Sequence, residues 1–117
     1  METKFNSQIC TSREQSERLL KLGLKKETAD VTIHHEYGIT TIFGIDYSKY
    51  VDLHKEQGYT EDFFKNVFPA WSLHRLMELL ASKWGECMVF LPDAYDEIIS
   101  DIEIEIGRGS FNKEFLV

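Results

Sequence analysis

The feature of this 117-residue chain that constrains its fold most is a strict alternation near its C-terminal end. From Asp101 to Ile106, three acidic residues alternate with three isoleucines. A period of two predicts a β-strand with isoleucines on one face and carboxylates on the other. Unpaired carboxylates are too costly to bury, so the acidic face must contact water. We therefore expect Asp96 to Ile106 to form the strongest strand of a sheet that has one wet face.

The start of the first helix is the clearest local signal in the chain. Thr11 followed by Glu14 has the spacing of a capping box, and Ser12 repeats that spacing one residue on. Leucines at helical spacing follow, and Gly23 is a typical residue just after a helix end. We expect this helix to span about residues 12–22.

β-Branched residues in the next part of the chain predict a hairpin. Val31 to Glu36 is typical of a strand, Tyr37-Gly38 of a turn, and Thr40 to Ile45 of the antiparallel partner strand. The pattern from Asp46 to Gly58 fits a loop as well as a short helix, so no element is predicted there.

Two further helices are predicted in the second half of the chain. Thr60 begins a short helix, and Pro69 ends it because the residue before a proline avoids helical geometry. Ser72 then caps a third helix, which ends at Gly85, and Glu86 to Leu91 is typical of a compact apolar strand.

These elements together predict the α+β class. We expect a small two-layer domain with a mostly antiparallel sheet and about three helices packed on one face. The length places residues 1–117 in a single domain. The glycine-containing end, residues 107–117, is expected either to form a flexible tail or to dock its apolar side chains.

The charge balance restricts the partners. Thirteen lysines and arginines against twenty acidic residues give a net charge of −7, which repels phosphate backbones and argues against direct binding of nucleic acid. An acidic decoy that inhibits a DNA-binding protein is an alternative, and the row formed by Asp101, Glu103 and Glu105 would be its surface. The same row is also compatible with a cation site or with an ordinary solvated face.

Location and cofactors are constrained by what the sequence lacks. The chain has no apolar signal region and no apolar stretch of membrane-spanning length, so we expect no membrane association. Its two cysteines, Cys10 and Cys87, are too few for a disulfide framework, which fits a cytoplasmic protein. Phosphate-binding glycine loops and clusters of zinc ligands are missing, so neither a cofactor nor a metal is predicted.

Short segments from two parts of the chain form a recognisable combination. They are Ile9-Cys10-Thr11-Ser12, Glu14-Gln15-Ser16, Leu19 to Leu24 and Glu27-Thr28-Ala29-Asp30, and then Pro69-Ala70-Trp71-Ser72-Leu73 with Leu76 and Glu78-Leu79-Leu80. This combination resembles a family of short uncharacterised proteins of Bacteroides-type gut bacteria and their prophage-like elements. The resemblance implies a bacterial or prophage origin, and it assigns no reaction, ligand or catalytic residue.

Cys10 is the one candidate for a catalytic residue. It directly precedes a capped helix, whose dipole and free amides lower the pKa of a nearby thiol. A nucleophilic cysteine also needs a histidine, and His34, His35 and His74 are available. The alternative is that Cys10 is a small, inert, buried residue.

The sequence predicts no metal site built from the histidines. His34 and His35 are neighbours on a predicted strand and therefore point to opposite faces. His74 and Glu78 share a helix face at a spacing of four residues, which supplies half a metal site or a surface ion pair.

Aromatic residues supply the preferred binding surface. Phe63, Phe64 and Phe68 precede Trp71, and the turn at Pro69 is expected to leave this group partly exposed. Our first hypothesis is a non-catalytic binding or accessory protein that contacts a protein partner, or a second copy of itself, through this group. The alternatives are a small thiol-dependent enzyme that uses Cys10 with a histidine, and the acidic decoy.

Overall fold

The computed structural model describes residues 8–80 and 93–117. Within these residues a three-stranded antiparallel sheet is combined with five α-helices, which confirms the α+β class. The elements are α1 (Arg13–Lys21), β1 (Val31–Glu36), β2 (Ile39–Phe43), α2 (Tyr47–Glu56), α3 (Glu61–Phe64), β3 (Val67–Ala70), α4 (Leu73–Leu80) and α5 (Ala94–Arg108), with 3₁₀ turns at Lys26–Thr28 and Lys113–Phe115. The predicted strand Glu86 to Leu91 and the predicted helix end at Gly85 lie outside the described residues.

The predicted strongest strand is a helix. Asp96 to Ile106 lies within α5, so the prediction of a strand there is wrong. The buried side chains of this segment recur at intervals of three and four residues, and the short alternation is only part of that longer helical pattern. They are Tyr95, Ile98, Ile99 and Ile102. Ile104, two residues after the last of them, therefore points to solvent.

The first helix is confirmed, with its capping box at the second of the two candidate positions. The Ser12 hydroxyl accepts a hydrogen bond from the Gln15 backbone N–H at 3.1 Å, and the Gln15 side chain accepts one from the Ser12 N–H at 3.0 Å. At the other end, Gly23 has a φ of 104°. Its N–H and that of Leu24 donate to the carbonyls of Leu20 and Leu19, which is a Schellman ending.

The hairpin is also confirmed. β1 and β2 pair antiparallel, with Glu36 opposite Ile39, so the connection is the two-residue turn Tyr37-Gly38. Both turn residues have positive φ, 54° and 78°, as a type I′ turn requires. The segment for which no element was predicted contains α2.

Pro69 does not end a helix. α3 stops at Phe64, and Pro69 lies inside β3, so the predicted helix boundary is wrong. β3 is an edge strand of the sheet order β2-β1-β3, and a proline is tolerated at an edge because its missing N–H need not serve a second neighbour.

The two faces of the sheet have different neighbours. The first face carries Thr32, His34 and Phe43, and α2 and α3 pack on it. The second face carries Ile33, Ile42 and Phe68, and it meets the N-terminal segment around Cys10.

The main core lies beside the sheet, among α1, α4 and α5. Trp71 and the buried side of α5 are at its centre. The C-terminal end joins this core: Phe111 is buried, and the Lys25 and Val117 N–H groups donate to the carbonyls of Phe115 and Gly23 at 2.8 and 2.7 Å. Of the two alternatives for residues 107–117, the structure therefore shows the docked one.

Candidate functional site

Trp71 is not part of an exposed aromatic group. Its side chain is 0% exposed, so the prediction of partial exposure is wrong. The indole N–H donates to the Thr28 hydroxyl at 2.9 Å, and the Trp71 backbone N–H donates to the Thr11 hydroxyl at 3.0 Å. Burial of the indole is feasible because its one polar atom finds a partner.

The hydrogen bonds of Trp71 belong to a buried junction between distant parts of the chain. Thr11 also shares a 2.7 Å hydrogen bond with the Ser16 hydroxyl. Close by, the Asp30 carboxylate accepts hydrogen bonds from the Ser72 N–H and hydroxyl at 2.9 and 2.6 Å. This junction joins the segment from Thr11 to Asp30 with Trp71 and Ser72. The polar groups of the junction hydrogen-bond to one another, which gives these residues a structural role.

Cys10 lacks the environment of a nucleophile. Burial raises the pKa of its thiol, and the nearby Asp30 carboxylate raises it further. Both effects favour the protonated thiol, whereas nucleophilic attack needs the thiolate.

The histidines do not gather around Cys10. Only His35 lines the same groove as the thiol, and its Nδ1 is within 2.6 Å of the Thr40 hydroxyl. His34 lies on the opposite face of the sheet, next to Phe63. His74 is on α4 and lies 3.4 Å from Glu78, as the surface-pair alternative predicts.

The acidic row does not form on one face. Successive residues of a helix are about 100° apart, so Glu103 points away from the side that Asp101 and Glu105 share. Glu103 contacts the Arg18 guanidinium at 2.7 Å, and Glu105 accepts a hydrogen bond from the Ser110 hydroxyl. The prediction of a single acidic strip is therefore wrong. Among the described residues, no group of three or more histidine, cysteine or acidic side chains is placed to hold a metal ion.

The three phenylalanines of the predicted binding surface lie on two different faces of the sheet. Phe63 and Phe64 are half-buried where α3 packs, and Phe63 contacts the rings of His34, His54 and Tyr59 at centroid distances of 5.1, 5.2 and 4.5 Å. These contacts explain how α2 and α3 are held on the sheet. Phe68 lies on the second face, away from this cluster.

A groove runs along that second face. It has a volume of about 700 Å³ and lies between the N-terminal segment from Gln8 to Arg13 and the sheet. The surface that lines it is mostly apolar, and the apolar side chains that contribute to it are Ile9, Cys10, Ile33, Ile42 and Phe68. The concave apolar lining makes it the best candidate binding site among the described residues.

Polar side chains also line the groove, among them Gln8, Ser12, Arg13 and Gln15. The Arg13 guanidinium lies 5.3 Å from the centroid of the Phe68 ring, which is a cation–π contact. His35 and Thr40 line the groove and are hydrogen-bonded to each other. A ligand in the groove therefore meets a mostly apolar surface and the cationic side chain of Arg13.

Large apolar side chains are exposed on the hairpin and beside the groove. Ile9 is 62% exposed, Tyr37 92% and Ile39 67%, and Ile42 and Ile45 are also exposed. Of these residues, Ile9 and Ile42 line the groove, whereas Ile39 is on the other face of the sheet. The groove could not be predicted from the sequence because its walls come from three separate parts of the chain, residues 8–15, 33–42 and 68. The period of two in β2 shows which side chains share a face, and it does not show what covers that face.

Comparison with protein-family models, with curated proteins and with solved structures finds no match for this chain. Among the described residues, none of the helices has the length and apolar character needed to cross a membrane.

Proposed function

We propose that this protein is a cytoplasmic, non-catalytic binding module that holds a protein partner in the groove on the second face of its sheet. The observation that carries the proposal is the groove itself, whose apolar lining continues onto the exposed side chain of Ile9. An apolar surface of this kind gains free energy when a partner removes it from water. The resemblance to short proteins of gut bacteria supports a bacterial or prophage origin.

The chemistry of the groove favours a protein over other ligands. A net charge of −7 repels polyanions, and the mostly apolar surface of the groove favours a ligand with apolar side chains over a small polar substrate. The Arg13 guanidinium, which contacts the exposed Glu17 carboxylate at 3.5 Å, also lines the groove, and an acidic or carbonyl group next to apolar side chains, as a peptide segment supplies, complements it.

Catalysis by Cys10 receives no comparable support. The thiol has a raised pKa, and the four histidines contact other residues, Glu36, Thr40, Tyr50 and Glu78. The acidic decoy has less support than the groove, because Glu103 points away from the side of α5 that Asp101 and Glu105 share.

Site-specific photo-crosslinking in the native cells tests the proposal. Benzoylphenylalanine in place of Phe68 puts the reactive group in the groove, and the same residue in place of the exposed Lys21 at the end of α1 is the matched control. We expect a discrete adduct with another protein from position 68 and none from position 21. No adduct from position 68, or the same adducts from both positions, would contradict the proposal.

Two isoleucine variants locate the contact more closely. Ile9 and Ile104 are both exposed, but only Ile9 lines the groove. Ile9→Glu should abolish the adduct from position 68 because it puts a charge at the apolar wall, whereas Ile104→Glu should leave the adduct unchanged. Equal effects of the two variants would show that the groove is not the contact.

A further inference from the structure

The outer edge of β2 carries unpaired backbone groups. In a hairpin with a two-residue turn, the residues that flank the turn exchange both hydrogen bonds, and every second pair after them does the same. Ile39, Thr41 and Phe43 therefore bond to β1, while Thr40 and Ile42 direct their N–H and C=O groups outward. The hydrogen bonds of β1 follow the same alternation. His35, which is opposite Thr40, directs its N–H away from β2 and donates it to the Asn66 carbonyl on the β3 side at 2.9 Å.

Nothing in the described part of the chain occupies that edge. No backbone or side-chain hydrogen bond reaches the outward amides of Thr40 and Ile42 from residues 8–80 or 93–117. Proteins usually protect an exposed edge with lysine, proline or a bulge. The eight residues from Gly38 to Ile45 contain no charged residue and no proline, although 28% of the whole chain is charged.

We propose that β2 pairs antiparallel with β2 of a second copy of this chain, around a twofold axis at Thr41. This register makes Thr40 and Ile42 a mutually hydrogen-bonded pair on each side of the axis, so the four outward backbone groups of each copy find partners. It also pairs all five residues of β2, whereas a shift to the next register with the same hydrogen-bond phase pairs only three. The two three-stranded sheets then form one six-stranded sheet.

The side chains of β2 are complementary to themselves in this register. Ile39 lies opposite Phe43 of the second copy, an aliphatic–aromatic pair that covers one of the most exposed isoleucines. Thr41 lies opposite Thr41 of the second copy, and Gly38 lies opposite Gly44 of the second copy. A twofold pairing is closed, so it removes the free edge without starting a fibre. An unrelated extended peptide could hydrogen-bond to the same backbone groups, but it would not explain why the side chains of β2 are complementary to themselves.

The inference concerns the edge of β2 and does not depend on what occupies the groove. Sedimentation equilibrium across a micromolar dilution series should show a reversible dimer. Thr41→Lys should raise its dissociation constant about tenfold or more, because two like charges meet at the axis. Gln57→Lys, which adds the same charge at the exposed end of α2, should leave the constant unchanged.

A cysteine scan tests the register. In this register only Thr41 lies opposite itself, at a separation that a disulfide bridges. Thr41→Cys should therefore give a covalent dimer under mild oxidation, with peptide mapping assigning the bond to position 41. Ile39→Cys should not, because its neighbour is a phenylalanine.

Three results would overturn the dimer, and each leaves the groove proposal to its own test. The first is a monomer at every concentration. The second is a dimer that tolerates Thr41→Lys, which shows that the copies meet elsewhere. The third is a covalent dimer from Ile39→Cys but not from Thr41→Cys, which shows a different register. If the protein is monomeric and a photo-reactive group in place of Thr41 captures another protein, the edge holds a foreign strand instead.

Discussion

At the scale of single residues, polar atoms decide where large side chains lie. Burial of Trp71 is feasible because the Thr28 hydroxyl accepts a hydrogen bond from its indole N–H, and Thr11 hydrogen-bonds to its backbone. No local pattern around Trp71 reveals these partners, since they precede it by 43 and 60 residues. The start of α1 was predictable, by contrast, because its capping box is complete within four residues.

Tyr95 should give the stability of the protein a pH dependence in the alkaline range. Burial raises the pKa of its hydroxyl to about 12, against about 10 in an unfolded chain. Between these values the unfolded state releases the proton first, so the free energy of unfolding should fall as the pH rises from about 10 to 12. Urea denaturation at several pH values measures the slope. Tyr95→Phe should flatten it, and an unchanged slope in that variant would show that other groups cause the loss.

At the scale of elements, the hairpin and α5 show when a periodic pattern decides the structure. The hairpin has a period of two on both sides of a turn whose residues match the turn type, so two independent signals agree. In α5 the alternation covers six residues and competes with a helical stripe that begins at Tyr95. A helix forms its backbone hydrogen bonds within its own segment. A strand needs a second strand to form them, and the sequence does not identify that second strand.

Two isoleucines in α5 distinguish the helix from the predicted strand. Ile102 is buried and Ile104 is exposed, although they would share one face of a strand. Ile102→Ala should lower the free energy of unfolding by about 3 kcal/mol because it leaves a cavity in the core. Ile104→Ala should lower it by less than about 1 kcal/mol. Chemical denaturation of both variants checks this, and similar losses would favour the strand.

At the scale of the whole molecule, the strong net charge and the uncharged strand β2 have opposite effects on association. Each chain carries a charge of −7, so two copies repel one another at long range, while the strand that we propose to join them contributes no charge. The surface that brings them together is therefore apolar and hydrogen-bonding, and the charged surface only opposes it.

Salt should therefore strengthen the dimer. Raising the ionic strength from about 0.05 M to about 0.5 M screens the repulsion between the copies and leaves the strand pairing intact, so the dissociation constant should decrease. Sedimentation equilibrium at the two salt concentrations measures the change. A dimer held by ion pairs would dissociate instead, and weakening by salt would therefore contradict pairing through β2.

The buried junction also has a kinetic consequence. The contact between Thr11 and Trp71 closes a loop of about sixty residues, whereas the hairpin closes through a two-residue turn. Local contacts form earlier than distant ones, so we expect the hairpin to be present while the N-terminal segment is still unattached. During that interval the apolar side chains beneath the segment and the edge of β2 are open at once. The speed with which Thr11 reaches Trp71 therefore limits how long a newly made chain is vulnerable to aggregation.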